Sequence, residues 1–462
     1  MISRPRLLAV GLLAAVVGCS SSPVAAPRPA PPSVPPSASP LPAPTGPVPV
    51  PPTAAQCERW FGVDCYDPQQ LQAAYDLGPL LARGLTGAGR TIVIVDPFGS
   101  PTVAADLKVF DLAFHLPDPP SFRIIAPAGP IPKFDPKGSE VLGSAAETSL
   151  DVQWAHAMAP GANLLLVETP VAEIEGTSGF PQIVAAENYV VDHRLGDVIS
   201  QSFDATEDTF PSPASLLSFR SAFVNAAAHG VSVLASSGDS GAAGLEYDAV
   251  HYYPYRATGW PATDPLVTAV GGTYLQLDAR GRRLAPDSVW NDTSPRSGPA
   301  ASSGGLSKVF SRPAYQNGVA AIVGTHRGIP DISLSAAGRG SVLVYLGYPV
   351  PGAPGAAPAA PGFVAINGTS ESCPLLAGIV AIADQLAGHD LGLLNPALYR
   401  LGAEHAPGLV PVTRGDNTVS FVGAGGRMVT VTGFQAGPGY NLATGLGTVD
   451  AALLVPELAG KP

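Results

Sequence analysis

A short serine-bearing turn is the feature of this sequence best suited to chemistry. Residues 366–374 read Ile-Asn-Gly-Thr-Ser-Glu-Ser-Cys-Pro, with Ser370 at the centre, and an apolar stretch follows over 375–386. A Gly-Thr-Ser turn that opens a helix places the serine hydroxyl at the helix N-terminus, where unpaired backbone N–H groups and the helix dipole favour negative charge. This setting suits a serine nucleophile and its oxyanion, although Ser and Thr are also ordinary helix caps. Ser370 is therefore a candidate nucleophile that still needs a base.

Two acidic residues on one predicted helix are the candidates for that base. Glu147 and Asp151 are four residues apart in a helix predicted over 144–158, so they share one face. Their neighbours are mostly apolar, which predicts a buried face, and paired buried carboxyls tend to share a proton. The alternative interpretation is a solvated acidic face.

A third acid, Asp239, stands in Ser-Ser-Gly-Asp-Ser-Gly at 236–241, directly after a predicted strand. It is either a turn residue or a side chain that projects into an active-site cleft.

Histidine, the usual base for a serine nucleophile, gives no comparable signal. No histidine stands in a convincing motif, and we interpret His156 as a partly exposed helix residue. Asp96, at the end of a predicted strand over 90–96, is interpreted as a structural residue.

The elements that must position these residues alternate in type along the chain. Apolar strand patterns at 90–96, 163–167, 197–200 and 231–235 alternate with helical patterns at 101–114, 144–158, 180–193 and 213–229. This order predicts an α/β fold with a doubly wound, mostly parallel sheet and helices on both faces, whose active site lies at the carboxyl ends of the strands. The segment 349–361 is a low-complexity loop just before the nucleophile.

Composition limits the possible functions. The chain has 462 residues, of which 46% are apolar, enough for a sizeable core, and its 52 glycines and 51 prolines predict many loops. The net charge is −11 and no basic stripe is visible, which argues against a nucleic-acid partner.

The N-terminus has the pattern of an export signal. Arg4 and Arg6 precede an apolar stretch at 7–17 that is too short for a typical membrane span, and Cys19 follows in a sequence that resembles a bacterial lipobox. We expect a lipoprotein-type signal peptide at 1–19 and a lipid anchor on Cys19; an ordinary secretory signal with a chance cysteine is the alternative. The Pro/Ala/Ser-rich residues 20–56 predict a disordered tether.

The remaining cysteines have simpler interpretations. Cys57 and Cys65 lie close together in an exported protein and are predicted to form a disulfide. Cys373 is interpreted as a small buried residue beside the nucleophile turn.

Taken together, these motifs resemble the sedolisin family of serine-carboxyl peptidases, whose fold is subtilisin-like. The family pattern Gly-Thr-Ser-x-Ser-x-Pro matches 368–374, Glu-x-x-x-Asp followed by Ala-Pro matches 147–160, and Ser-Ser-Gly-Asp-Ser-Gly matches 236–241. The resemblance runs from about residue 68 to the C-terminus, and we assign 57–462 to the catalytic domain.

The resemblance implies a role for each acidic residue. Ser370 would be the nucleophile, Glu147 the general base, Asp151 the group that orients Glu147, and Asp239 the acid that stabilises the oxyanion. A carboxylate base with a reference pKa near 4 and a protonated Asp239 both require acid conditions. We therefore expect an exported, membrane-anchored endopeptidase that acts as a monomer on polypeptides at acidic pH.

Two departures from the family are visible. Relatives commonly carry a long inhibitory prodomain, and we expect none here, because the signal, tether and cysteine loop leave no room for one. The family also binds calcium through two aspartates, and these positions hold Pro411 and Asn441 here. We expect no cofactor, because calcium gains affinity from charged oxygen ligands, although Asp416 could compensate.

Two other functions stay open. One is a neutral subtilisin-like peptidase that uses Asp96, a histidine and Ser370. The other is a catalytically inactive peptide-binding lipoprotein of the same fold.

Overall fold

The computed structural model of this protein describes residues 41–44, 46–135, 138–294, 298–349 and 360–461. The predicted signal peptide, Cys19, the first part of the predicted tether and most of the low-complexity segment 349–361 lie outside the described residues.

The helices and strands follow one another in the α/β order that the sequence predicts. The α-helices are α1 (Ala54–Phe61), α2 (Pro68–Ala74), α3 (Gly78–Leu81), α4 (Val103–Phe114), α5 (Ser139–Met158), α6 (Phe180–Asp192), α7 (Pro213–Leu217), α8 (Ser221–His229), α9 (Ala320–Val323), α10 (Thr369–Ala387), α11 (Asn395–Ala403) and α12 (Ala451–Leu458). The strands are β1 (Cys65–Tyr66), β2 (Thr91–Pro97), β3 (Phe122–Ile125), β4 (Asn163–Thr169), β5 (Val198–Gln201), β6 (Ala205–Thr206), β7 (Ser232–Ser236), β8 (Gly259–Trp260), β9 (Thr268–Tyr274), β10 (Ser288–Val289), β11 (Gly305–Ser311), β12 (His326–Ile329), β13 (Ile332–Ser335), β14 (Ser341–Leu346), β15 (Gly362–Ile366), β16 (Leu409–Val410), β17 (Val419–Val422), β18 (Met428–Val431) and β19 (Thr448–Val449). Short 3-10 turns occupy Glu207–Thr209, Ala314–Val319 and Gly338–Gly340.

An eight-stranded sheet forms the centre of the described fold. Its strands run in the order β10-β9-β7-β5-β2-β4-β3, and β13 also pairs with β9. The pairings are parallel except that of β10 with β9. The carboxyl ends of β2, β5 and β7 therefore meet at one edge of the sheet, where an active site is expected.

Apolar cores lie on both faces of this sheet. Along β2, Ile92 and Ile94 face one core, to which α5 and α10 contribute, whereas Val93 and Val95 face the other, to which α6 and α8 contribute. The two-residue period of a strand produces this division, since successive side chains point to opposite faces. The predicted subtilisin-like sheet with helices on both faces is confirmed.

Some boundaries differ from the sequence prediction. The helix predicted over 213–229 is divided into α7 and α8, and the Ser218 hydroxyl at the break donates to the Ser215 carbonyl, a local bond that competes with the helical backbone. Helix α5 begins at Ser139 rather than at 144.

Helix α1 is the first helix of the described residues. Thr53 caps this helix with reciprocal bonds to Gln56, so the helix crosses the predicted end of the tether at 56. Leu41 and Val48 pack against the core. The predicted Cys57–Cys65 disulfide is confirmed, and it joins α1 to β1.

Candidate active site

The serine turn has the structure that its sequence predicts. Helix α10 begins at Thr369, so Ser370 stands in its first turn, partly exposed. Gly368 precedes the helix with φ 125°, and a Cβ there would lie 2.6 Å from Oδ2 of Asp239. Glycine is required on both counts, because an L side chain would be strained and would displace the Asp239 carboxyl.

Helix α5 brings its carboxyls to this turn by packing closely on α10. A Cβ at Gly378 of α10 would lie 2.5 Å from Cβ of Met158, so the two helices are in near backbone contact. Glu147 interacts with the Ser370 hydroxyl. Asp151, one turn further along, is fully buried beside Ser202, whose hydroxyl lies 3.4 Å from the Ser370 carbonyl oxygen.

Asp239, which follows β7, contacts the residues just before the serine. Its Oδ1 accepts hydrogen bonds from the backbone N–H and the hydroxyl of Thr369, at 2.8 and 2.7 Å. Asp239 is exposed to solvent, and its Oδ2 is the carboxyl oxygen that borders Gly368. A proton on Oδ2 would therefore be available to an oxyanion held at Ser370.

The carboxyls at this site hold protons more tightly than free ones. Burial raises the pKa of Glu147 to about 8, while its interaction with Ser370 opposes the shift. Burial, reinforced by Asp96 and Glu147, raises the pKa of Asp151 well above its ordinary value. The surrounding protein partly removes the Asp239 carboxyl from water, and this desolvation also raises its pKa. The two hydrogen bonds from Thr369 act in the opposite direction.

Asp96 belongs to the same group, which sequence reasoning missed. It lies at the carboxyl end of β2 and is buried, and the Thr148 hydroxyl beside its carboxyl only partly offsets the effect of burial. Burial raises its pKa to about 7, and its charge in turn raises the pKa values of Glu147 and Asp151. The available signal was positional, because Asp96 follows a buried parallel strand at the edge where such sites form.

His156 does not take part in this group, and its predicted partial exposure is wrong. The ring is fully buried, and Nε2 lies 2.8 Å from the Pro117 carbonyl oxygen and 3.3 Å from Asp111. Burial lowers the pKa of His156 to about 4, so the imidazole is neutral. The error arose because α5 is enclosed by α4 and α10, leaving no solvent-facing stripe at His156. Cys373, in contrast, is buried as predicted.

The positions of the family's calcium aspartates do not fit a cation. Oδ1 of Asn441 accepts bonds from the backbone N–H groups of Ala443 and Thr444, at 3.0 and 2.9 Å, so it acts as a turn cap. Pro411 lines one surface cleft and Asp416 lines another. The described part of the chain contains no group of three or more potential metal-binding acids, histidines or cysteines.

Comparisons with known proteins agree with this geometry. The profile of the peptidase S8 or subtilase family matches residues 130–397. Kumamolisin of Bacillus sp. (strain MN-32) is 30% identical over 393 residues, which is 83% of this chain and 62% of the relative. Human tripeptidyl-peptidase 1 is 31% identical over 330 residues, 68% of this chain and 51% of the relative. The chain thus spans between about half and two thirds of the length of these relatives.

A solved structure has the same fold as this chain. Pseudomonas sedolisin, a serine-carboxyl proteinase complexed with two molecules of pseudo-iodotyrostatin, superposes with a TM-score of 0.70 and 26% identity, covering 86% of this chain and 99% of that chain.

Proposed function

Because this chain belongs to the sedolisin group of the subtilase family, we propose that it is a serine-carboxyl endopeptidase that hydrolyses polypeptides in acid. One observation carries the proposal: the turn that bears Ser370 has Glu147 at the Ser370 hydroxyl, Asp151 next to Glu147, and Asp239 bonded to Thr369. Peptide hydrolysis by a serine needs a base and an oxyanion donor, and this arrangement supplies both from carboxyl groups.

The proposed reaction follows from the positions of these groups. The Ser370 Oγ attacks the peptide carbonyl carbon, and its proton passes to Glu147. Asp239 donates a hydrogen bond to the oxyanion from its protonated carboxyl. Glu147 then gives the proton to the leaving amine, the C–N bond breaks, and water hydrolyses the acyl-enzyme by the same steps in reverse. Asp151 holds Glu147 in orientation and shares its charge.

We expect peptide hydrolysis to be fastest at acidic pH because the two carboxyl groups must be in opposite protonation states. Asp239 must keep a proton, whereas Glu147 must be ionised often enough to accept one. We expect a bell-shaped dependence of kcat/KM on pH with its maximum below 7, reporting the coupled carboxyls as a group.

The pH profile of hydrolysis of acid-denatured protein tests the function. A maximum near neutral pH would favour a histidine-based peptidase, and no hydrolysis at any pH would favour an inactive peptide-binding protein. Asp239→Asn keeps a hydrogen-bond donor that never titrates, so its alkaline limb should move to higher pH if Asp239 governs that limb. A limb that does not move would assign it to Glu147 and Asp151.

We also propose that the protein is exported and anchored through a lipid on Cys19. The basic residues, short apolar stretch and lipobox-like sequence support this placement. In the described residues, no helix combines the length and apolar character needed to cross a bilayer. Cys19→Ser should move the protein from the membrane to the soluble fraction without altering its specific activity; a variant that stays with the membrane would contradict the anchor.

A further inference from the structure

A group of charged residues lies at the edge of the sheet opposite the candidate active site. Arg90 immediately precedes β2 and Asp197 immediately precedes β5, so both stand at the amino ends of parallel strands. Asp384 lies in the last turn of α10, and Asp390 follows in the segment 388–394, which joins α10 to α11. We call these four residues the basal cluster.

One guanidinium serves the two aspartates at the rim of the basal cluster. Nη1 of Arg90 lies 2.7 Å from Oδ1 of Asp390 and 3.7 Å from Oδ1 of Asp197. The Asp197 and Asp390 carboxyls also form a hydrogen bond with each other, which requires a proton on one of them. Oδ2 of Asp197 accepts from the Thr91 N–H at 2.6 Å. These contacts attach the segment 388–394 to the first residues of β2 and β5.

Asp384 is the innermost acid of the basal cluster. It is fully buried, and its Oδ1 accepts from the Leu391 N–H at 2.8 Å. Its Oδ2 is also buried and has no hydrogen-bond partner among the described residues. A buried oxygen without a partner costs less free energy on a neutral carboxyl than on an ionised one. The bond that folds the segment 388–394 back onto α10 therefore depends on a carboxyl that favours its proton.

The charges of the basal cluster balance only when protons are bound. Three ionised carboxyls would face the single guanidinium of Arg90 in a site largely withdrawn from water. Burial raises the pKa of Asp197 to about 6 and that of Asp384 to about 7, and the charge of Asp390 acts in the same direction on both, while Arg90 opposes it.

The other charged or titratable groups near the basal cluster have partners elsewhere or are exposed. Lys461 donates to two carbonyls at the end of α10. The Nδ1 atoms of His389 and His229 lie 2.9 and 3.0 Å from backbone carbonyl oxygens. Arg194, in the turn before Asp197, is exposed. Arg90 is therefore the cation that offsets these carboxyls.

We propose that the basal cluster is a pH-sensitive switch, which holds the segment 388–394 against the sheet in acid and releases it near neutral pH. The proposal does not depend on the peptidase function. The folded protein keeps protons on Asp197 and Asp384 that the unfolded chain releases near pH 4, so their stabilising contribution is complete below about pH 4 and is lost as pH rises through about 6 to 7.

Helix α10 connects this switch with the candidate active site. The helix has 19 residues, which corresponds to a length of about 28 Å, and it carries Ser370 in its first turn and Asp384 in its last. Release of the segment 388–394 therefore frees the end of the helix that bears the candidate nucleophile.

Hydrogen exchange of the full-length chain tests the switch. Protection of peptides that cover 388–394, corrected for the intrinsic exchange rate, should fall about tenfold between pH 5 and pH 7.5, while peptides from β2 stay protected. Unchanged protection of 388–394 would overturn the proposal. So would an equal fall in β2, because it would mean that the whole fold opens together.

Asp384→Asn and Asp197→Asn supply the residue-specific arm. An asparagine oxygen can still accept the backbone N–H, and the side-chain amide takes the place of the bound proton. Each variant should keep most of its protection of 388–394 at pH 7.5. If one variant does not fold at pH 5, as judged by its thermal midpoint, the other decides. A tenfold fall that persists in the folded variants would overturn the proposal.

Glu187→Gln is the matched control. Glu187 is a buried acid with a raised pKa, but it lies on α6 and not in the basal cluster. This variant should show the wild-type fall in protection of 388–394. If the fall disappears here as well, overall stability rather than the basal cluster controls the segment, and the proposal is wrong.

Discussion

Asp151 and Asp331 are both fully buried carboxyls, but only Asp331 has a cation beside it. Both of its oxygens accept from the guanidinium of Arg327, at 2.6 and 2.5 Å, and it also receives the Tyr399 hydroxyl at 2.8 Å and the Ala269 N–H at 2.8 Å. We call Arg327 and Asp331 the arginine pair.

The group around Asp151 has no such partner. Asp96, Glu147 and Asp151, which we call the carboxyl cluster, contain oxygens that no described residue bonds. Their pKa values rise because burial penalises the charged form and because each carboxyl repels its neighbours.

The difference shows how one residue type serves two purposes. A cation keeps a buried carboxylate ionised and fixed. Here the Asp331 carboxylate, just before β13, connects Arg327 of β12 with Tyr399 of α11. Without a cation, the pKa values of buried carboxyls rise, so these groups can bind and release a proton. General acid–base chemistry needs that property.

The largest expected effect is at Ser370, the proposed nucleophile beside the carboxyl cluster. Ser370→Ala should lower kcat by several orders of magnitude, since no group remains to form the acyl-enzyme. Ser372→Ala is the matched control on the same helix, because among the described residues the Ser372 hydroxyl bonds only to the Leu334 and Ser335 carbonyls. It should cost about 1 kcal/mol of stability and little activity, as read from urea unfolding and peptide hydrolysis. Substantial turnover by the Ser370 variant would exclude it as nucleophile.

The next effect lies within the carboxyl cluster itself. Glu147→Gln and Asp151→Asn should each lower kcat by orders of magnitude, and the double variant should lose far less than the sum, since they act as one unit. Glu187→Gln is the control, because Glu187 is a buried acid with no hydrogen-bond partner in the described residues but belongs to the α6 side of the fold. If the losses in kcat were additive, Glu147 and Asp151 would act independently and the proposed coupling between them would be wrong.

Removing the cation of the arginine pair should leave Asp331 as a buried carboxyl without a charged partner, which should lower the stability of the protein. Arg327→Met should lower the free energy of unfolding by about 3–5 kcal/mol, because Asp331 is left buried without its partner. Adding Asp331→Asn should restore part of that loss, as measured by urea unfolding. The test fails if the single variant is as stable as wild type, which would mean that Tyr399 and Ala269 alone suffice.

A smaller effect is expected in the pH dependence of stability. Burial raises the pKa of Glu187 to about 8, so the unfolded chain loses this proton near its ordinary pKa and the folded chain loses it only at higher pH. The stabilising contribution is complete below about pH 4 and is lost as pH rises towards 8, an effect of the order of 2–4 kcal/mol. Glu187→Gln should flatten the curve of unfolding free energy between pH 4 and 8. Exposed Glu404→Gln should leave its slope unchanged, and an identical slope in both variants would argue against the raised pKa.

The smallest expected effect concerns calcium. Pro411 and Asn441 supply no charge at the family's ligand positions, so chelation should leave the thermal midpoint nearly unchanged at pH 5. Magnesium addition serves as the control for ionic strength. A midpoint that falls on chelation and recovers with calcium would mean that other oxygens rebuild the site.

Much of the site could be predicted from the sequence because its signals are local. The glycine before the Thr-Ser pair, the four-residue spacing of Glu147 and Asp151, and the glycine-flanked Asp239 each describe a backbone geometry within a few residues. The same holds for the alternation of strands and helices that predicts the subtilisin-like fold.

Two properties could not be predicted without the tertiary structure. One is the distance between residues that are remote in the chain, and the other is the exposure of those residues to solvent. Asp96 has the same sequence context whether it is a structural residue at a strand end or lies beside Glu147. The sequence predicts partial exposure for His156, because a helix pattern does not record which neighbours cover the helix. Burial and the presence or absence of a cation decide a carboxyl's proton affinity, and both depend on how the sheet brings its strand ends together.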